Sequence, residues 1–147
     1  MKLKENLNAT GHLTINVFDR TGNLKSSTKV PNLVVTTGKN YIASRMVGVA
    51  SDIMSHMAIG TGTTSPSAGQ TTLTTENGRV SLDTFTSSTN TVTSTATFPP
   101  GTGTGAVTEA AILNAGSAGT MLCRTTFPVV NKAAGDSIAI TWVVTVS

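Results

Sequence analysis

Residues 138–146 read IAITWVVTV, and this stretch decides the fold class. Large apolar residues occupy every second position, and almost all of the stretch is β-branched or aromatic, which is the pattern of a strand with one buried face. We therefore expect four alternating side chains to lie together in a hydrophobic core: Ile138, Ile140, Trp142 and Val144.

The same alternation recurs along most of the chain, and clusters of Gly, Asn, Asp and Pro interrupt it at turns. Neighbouring alternating segments predict three hairpins: residues 12–30, residues 79–85 with 91–98, and residues 107–113 with 120–127. About eight antiparallel strands with frequent turns predict an all-β fold, either an antiparallel β-sandwich or a jelly-roll-like barrel.

One segment departs from this pattern, and it predicts a single short helix near residues 38–48. Thr37 precedes it and is a residue type that caps helix N-termini. Apolar residues at helical spacing form a stripe that we expect to cover an end or edge of the sheet: Tyr41, Ile42, Met46 and Val49.

The chain divides into an N-terminal arm, residues 1–11, and a single β-sandwich domain, residues 12–147. The arm shows no clear alternation and has too few apolar residues to form a core of its own. We expect it to become ordered against a partner, with apolar residues on the partner's surface and lysines near its acidic groups. The candidate contact residues are Met1, Lys2, Leu3, Lys4 and Leu7.

Composition excludes several classes of protein. Charged residues make up 12% of the chain, against about 25% in an average domain, and 28 Thr and 14 Ser supply much of the polar surface. The net charge is +3, but the ten basic residues are scattered, so neither a nucleic-acid partner nor a membrane partner is expected. The single Cys excludes a disulfide scaffold, and no apolar run reaches the ~18 residues of a membrane span.

The residues that usually carry chemistry are few and isolated. His12 and His56 lack the spacing of metal ligands, and Cys123 lies mid-strand with no identifiable base. We interpret all three as packing or surface residues. The sequence therefore predicts a protein without enzymatic activity, metal or cofactor.

Two carboxylates stand out because their surroundings are neutral and rich in strands. We expect Arg79 to form a structural ion pair with either Glu76 or Glu109. The alternative is that Glu76 and Glu109 face each other across a cleft, as the two carboxylates of a glycosidase do. The near absence of aromatic residues, 4% of the chain, disfavours a sugar-binding cleft.

Residues 60–64 read GTGTT and invite comparison with phosphate-binding loops. A dinucleotide fingerprint requires a helix directly after the glycine-rich turn, whereas here the sequence continues with Ser65-Pro66-Ser67. We interpret this loop as a connection or as a contact surface at the tip of the sandwich.

Four segments, taken in order, carry a resemblance to a known group of proteins: 57–66 (MAIGTGTTSP), 73–80 (LTTENGRV), 107–114 (VTEAAILN) and 126–142 (TFPVVNKAAGDSIAITW). Their order and spacing resemble a module of small virion structural proteins of tailed bacteriophages, found in tail fibres and in head decoration proteins. The resemblance covers about residues 30–147 and brings no catalytic residues with it.

This resemblance implies a virion structural protein. A chain of 147 residues has no shaft to hold a fibre tip away from the particle, which favours a capsid decoration (cement) protein. Such a protein is expected to be made in the bacterial cytoplasm and to bind the major capsid protein on the outer capsid surface as a homo-oligomer, most often a trimer. The alternative is a short tail fibre, tail adaptor or receptor-binding tip, with ligand contacts in residues 60–70 and 99–105.

Overall fold

The computed structural model describes all residues from 1 to 147 and contains nine strands and one helix. In chain order they are β1 (Ala9–Phe18), β2 (Leu24–Val34), α1 (Thr36–Met46), β3 (His56–Gly60), β4 (Glu76–Ser81), β5 (Thr84–Ser88), β6 (Thr91–Phe98), β7 (Gly105–Leu113), β8 (Met121–Lys132) and β9 (Ser137–Val146). The predicted all-β fold with one short helix is confirmed.

The strands form one antiparallel sheet in the order β4-β3-β7-β8-β2-β1-β9-β6-β5. The sheet curls so that apolar side chains from β1, β6 and β9 pack against those of β3, β7 and β8 in one core. The architecture is therefore sandwich-like, but its two layers belong to one continuous sheet that turns over at β2.

Strand β2 connects the layers because its two ends have different partners. Residues up to Asn32 pair with β1, whereas Leu33 and Val34 pair with β8. Pro31, which breaks the sequence alternation, lies at this change of partner, where a missing N–H is tolerated. Its carbonyl oxygen accepts a hydrogen bond of 2.6 Å from the Thr125 hydroxyl of β8, which ties the bend to the second layer.

The core follows the alternation in β9. Ile138, Ile140, Trp142 and Val144 are all buried on one face of the strand. The indole N–H of Trp142 donates a 3.1 Å hydrogen bond to Oδ1 of Asn32, so the largest core side chain also has its polar group satisfied.

The predicted hairpin of residues 79–85 with 91–98 is wrong in its first strand. Alternation runs through residues 79–85, but the chain changes layer at Leu82 and Asp83. Before that point β4 pairs with β3, and after it β5 pairs with β6. Period-two alternation gives no sign of such a switch, because it reports which face is buried and not which strand is the neighbour.

Helix α1 covers the end of the core from which β1 starts and at which β9 ends. Its first N–H, on Thr36, donates to the carbonyl of Ala68 at 2.8 Å, and the Thr37 hydroxyl donates to the carbonyl of Met121 rather than capping the helix. Tyr41 and Ile42 pack against the core, as the apolar stripe predicts, but Met46 remains exposed. Only the first part of the stripe is therefore used for packing.

The expected arm is shorter than its sequence pattern indicates. Strand β1 starts at Ala9, so residues 9–11 belong to the sheet and pair with β9. Asn8 and Ser147 exchange backbone hydrogen bonds of 2.6 and 2.8 Å. Residues 1–7 lie outside any strand or helix and are exposed.

Replacing Trp142 with Ala should lower the free energy of unfolding by about 3–5 kcal/mol, because it leaves a cavity and removes a hydrogen-bond partner of the half-buried Asn32 side chain. Urea denaturation would measure the change. Val129→Ala is the control, since Val129 is exposed and its loss should cost less than about 0.5 kcal/mol. A similar small loss for Trp142→Ala would contradict its place in the core.

Candidate functional site

A buried ion pair lies on the outer face of the second layer. Glu109 of β7 and Arg124 of β8 are both 0% exposed, and Nη2 of Arg124 lies 2.7 Å from Oε2 of Glu109. Neither side chain points into the main core. Both are covered instead by residues 61–75, a segment without helix or strand that we call the Gly-Thr loop.

The ion pair holds both ends of the Gly-Thr loop. The Glu109 carboxylate accepts hydrogen bonds from the backbone N–H groups of Gly62 at 3.1 Å, Thr74 at 3.0 Å and Thr75 at 2.7 Å. Nη1 of Arg124 donates to the carbonyl of Thr64 at 3.1 Å. The loop is therefore ordered by two buried charges and not by secondary structure.

Gln70 fixes the middle of the loop through the same guanidinium. Its Oε1 accepts hydrogen bonds from Nη1 of Arg124 at 2.5 Å and from the N–H of Ser67 at 2.8 Å, and its Nε2 donates to the carbonyl of Ser65 at 3.1 Å. The loop also caps helix α1 through the carbonyl of Ala68. One ion pair thus positions the loop and, through it, the start of the helix.

The glycines of the GTGTT stretch are required by this close approach. A Cβ atom on Gly62 would lie 2.5 Å from Oε1 of Glu109, and one on Gly60 would lie 2.6 Å from the same oxygen. The loop resembles an anion-binding loop in which backbone N–H groups surround a negative charge. The anion that it holds is a carboxylate of the same chain.

Opposing effects act on the pKa of Glu109. Desolvation raises the pKa, but the N–H groups of Thr75 and Thr74, the guanidinium of Arg124 and the N–H of Gly62 outweigh it and hold the pKa below its ordinary value. Glu109 is therefore ionised at neutral pH, as its pairing with Arg124 requires.

The expected ion pair of Arg79 with either Glu76 or Glu109 forms with Glu76. Nε of Arg79 lies 2.7 Å from Oε1 of Glu76, and Nη2 lies 2.9 Å from Oε2. Its Nη1 donates to the carbonyls of Ala115 and Ala118 and so holds the turn between β7 and β8. Strand β3 lies between β4 and β7, and this strand order could not be read from the sequence.

Sequence reasoning missed Arg124, although the signal was present. Arg124 interrupts the apolar run Met121-Leu122-Cys123, just as Glu109 interrupts the apolar run of β7. A charged residue in a buried strand needs a partner of opposite charge. Applying this criterion to both strands would have identified the pair.

The structure does not bring Glu76 and Glu109 together as a pair of catalytic carboxylates. Glu109 is covered by the Gly-Thr loop, and Glu76 is engaged by Arg79 on the far side of β3. The glycosidase arrangement requires two carboxylates that both reach a substrate. Glu109 cannot reach one.

The other candidate side chains are also separate from one another. Cys123 is buried, and desolvation raises the pKa of its thiol, which keeps it protonated. The His56 ring lies 2.8 Å from the Ser55 hydroxyl through Nδ1. No group of three or more His, Cys, Asp or Glu side chains is placed to hold a metal ion.

A second buried cation anchors the other glycine-rich loop. Lys132 is buried, and its Nζ donates to the carbonyls of Pro99 at 3.0 Å and Asp136 at 2.7 Å. Desolvation lowers the pKa of Lys132, and the charge of Asp136 partly offsets this effect. The Asp136 carboxylate accepts hydrogen bonds from Lys25 at 2.7 Å and from the N–H of Ala133 at 2.9 Å, and these lower its pKa.

The second anchored loop and the two ends of the Gly-Thr loop lie at the same end of the sandwich. Strands β6 and β9 meet there at Phe98 and Ile138, and β7 and β8 meet there at Gly105 and Lys132. Residues 99–104 and 133–136 and the two ends of the Gly-Thr loop form what we call the loop end, whereas the middle of the Gly-Thr loop runs over the outer face to the start of α1. The predicted contact residues Met1, Lys2, Leu3, Lys4 and Leu7 are exposed at the opposite end, where β1 starts.

Comparison with protein-family models, curated proteins and solved structures returned no significant match. The resemblance to phage virion proteins therefore stays a prediction from the sequence. Helix α1, at eleven residues, is too short to span a bilayer.

Replacing Arg124 with Met should lower the free energy of unfolding by about 3–5 kcal/mol, because it leaves the Glu109 charge buried without its partner. Arg79→Met is the matched control. The Arg79 and Glu76 side chains are 14% and 32% exposed, so water can replace the lost pairing and the cost should be about 1 kcal/mol. Denaturant unfolding measures both, and equal losses would contradict the special role of the buried pair.

Stability should fall on acidification. The pKa of Glu109 is lower in the folded protein than its ordinary value of 4.5. The contribution of Glu109 to the free energy of unfolding is therefore complete above about pH 4.5. This contribution is lost as the pH falls through the pKa of Glu109 in the folded protein. Asp136 and Asp19, whose pKa values are also lowered, add to the trend. Thermal unfolding between pH 7 and pH 3 should show a shallower decline in Glu109→Gln than in the wild type.

Proposed function

We propose that this protein is a structural protein of a tailed-phage virion, and that it is a capsid decoration protein on the outer surface of the shell. The observation that carries the proposal is the ordered resemblance of four segments between residues 57 and 142 to small virion proteins. The protein would bind the major capsid protein as a homo-oligomer, most simply a trimer, and would act without catalysis, cofactor or metal.

The positions of the resembling segments support treating them as one module. Residues 57–66 supply Gly60 and Gly62, residues 73–80 supply the N–H groups of Thr74 and Thr75, and residues 107–114 supply Glu109. These segments are distant in sequence and meet at a single buried carboxylate. A common fold would require these segments in the same order along the chain, because each of them helps to satisfy the same buried charge.

A rigid domain suits the proposed role. Internal DNA pushes capsid subunits apart, and a protein that bridges neighbouring subunits resists this only if its own body does not deform. The Gly-Thr loop is long and contains no helix or strand, but a buried ion pair holds it in place. When one subunit of an oligomer is bound, the effective concentration of the other subunits at their sites is high, so several weak contacts give tight binding overall. No single contact therefore needs to be strong.

The loop end favours a second candidate function, a short tail fibre, tail adaptor or receptor-binding tip. The Gly-Thr loop presents exposed Thr63, Thr64, Ser65 and Ser67 on an ordered backbone. Binding surfaces are often loops held in place by a rigid scaffold. In that role residues 60–70 and 99–105 would contact the host receptor, and the opposite end would attach to the tail.

Purified protein added to phage particles that lack it should bind them and raise the temperature at which they release DNA. A form without residues 1–7 should bind more weakly, and this truncation leaves β1 intact because that strand starts at Ala9. The measurements are co-sedimentation and DNA release on heating.

Failure of the full-length protein to bind or to protect would rule out the decoration role and favour the tail. The number of copies in native virions, measured from band intensity on a gel, tests the choice independently. Hundreds of copies indicate the capsid, and a few tens or fewer indicate the tail.

A further inference from the structure

Exposed apolar side chains are concentrated at the end of the sandwich opposite the loop end. They come from two segments, the arm and the residues that follow the middle of helix α1. We call this surface the apolar end, and its members are Met1, Leu3, Leu7, Met46, Val47, Val49 and Ile53. The remaining large exposed apolar residues, Leu24, Phe85 and Val129, are dispersed over other strands.

The two segments are adjacent in space. Leu7 of the arm and Met46 of the helix line one shallow groove of about 220 Å³, together with Ile42 and Val146. The groove therefore joins the arm, the helix and the end of β9 in one apolar surface. A separate depression, lined mainly by polar residues, contains Arg45 and Val49.

The exposure of this surface is not explained by packing within the chain. Met46 is 83% exposed and Val47 is 79% exposed. Helical spacing places Met46 on the same apolar stripe as Tyr41 and Ile42, yet only those two side chains pack against the core. Single exposed apolar residues are ordinary, but a contiguous patch rimmed by polar residues marks an interaction site.

Charges around the apolar end indicate the nature of its partner. Lys39 lines the groove, and the exposed arm that contributes Leu7 carries Lys2 and Lys4 against one carboxylate, Glu5. A two-fold contact between copies through this surface would bring together two patches of the same net positive charge, which is unfavourable. An acidic surface is the complementary partner.

We infer that the apolar end is a docking surface for a protein face that is both apolar and acidic. The arm and residues 46–53 bind it together, so the contact extends beyond the arm. This inference rests on the proposed function for the identity of the partner, which is then the outer face of the capsid shell.

The test compares variants for binding to phage particles that lack this protein. Met46→Gln with Val47→Thr removes apolar surface at exposed positions and should weaken binding about tenfold. The matched control, Leu24→Gln with Val129→Thr, makes the same kind of change at exposed positions elsewhere and should alter binding by less than about twofold. Circular dichroism and thermal unfolding verify that each variant is folded.

A charge-reversal variant tests the acidic character of the partner. Lys4→Glu with Lys39→Glu should weaken binding about fivefold, mainly by slowing association, and should reduce its dependence on salt. Unchanged binding in this variant would show that the partner is not acidic and would overturn that part of the inference.

The outcomes separate this inference from the proposed function. If wild-type protein binds the particles and Met46→Gln with Val47→Thr binds equally well, the inference is wrong and the decoration role stands. If wild-type protein does not bind the particles, both fall.

Two further measurements test other occupants. Sedimentation that shows the Met46/Val47 variant to be a smaller oligomer than the wild type would assign the surface to contacts between copies and overturn the inference. Binding of the wild type to phosphatidylglycerol–phosphatidylcholine vesicles, abolished in this variant while particle binding persists, would assign the surface to lipid.

Discussion

The buried pair of Glu109 and Arg124 is the interaction on which the arrangement of the second layer depends. Two charges without access to water must find their partners within the protein. Here each charge pairs with the other, and the remaining partners are three backbone N–H groups, a backbone carbonyl and the Gln70 side chain. These requirements bring the Gly-Thr loop onto the sheet, exclude a side chain at Gly60 and Gly62, and place Ala68 against the first N–H of helix α1. We interpret the pair as a device that selects one loop conformation rather than as a large source of net stability.

The same principle operates at Lys132, so both glycine-rich loops are held by buried cations. The end of the sandwich opposite the loop end has a different character, with an irregular arm, exposed apolar side chains and basic residues. An ordered polar end and an apolar end suit a protein that attaches through one end and presents the other. Both functions proposed above share this division, and they differ in what each end meets.

The candidate site can be predicted from the sequence only in part. Charged residues in neutral strands predict ion pairs, and Glu76 is one of the two partners expected for Arg79. Glu109 is the other partner expected for Arg79, but β3 lies between β4 and β7, and Glu109 pairs with Arg124 of β8 instead. The sequence predicts that the glycine-rich loop is a connection or a contact surface, and only the folded structure shows that the loop also surrounds a carboxylate.

Most of the strands, the buried face of β9 and the presence of one helix can be predicted from the sequence alone, because alternation and helical period are local consequences of backbone geometry. The order of the strands, the layer switch at Leu82 and Asp83, the partner of Glu109 and the exposure of Met46 depend on the tertiary structure. These depend on which strands become neighbours, and many strands with the same alternation satisfy the local pattern equally well. Selection among them requires the burial of specific charges and side chains, which no single segment contains.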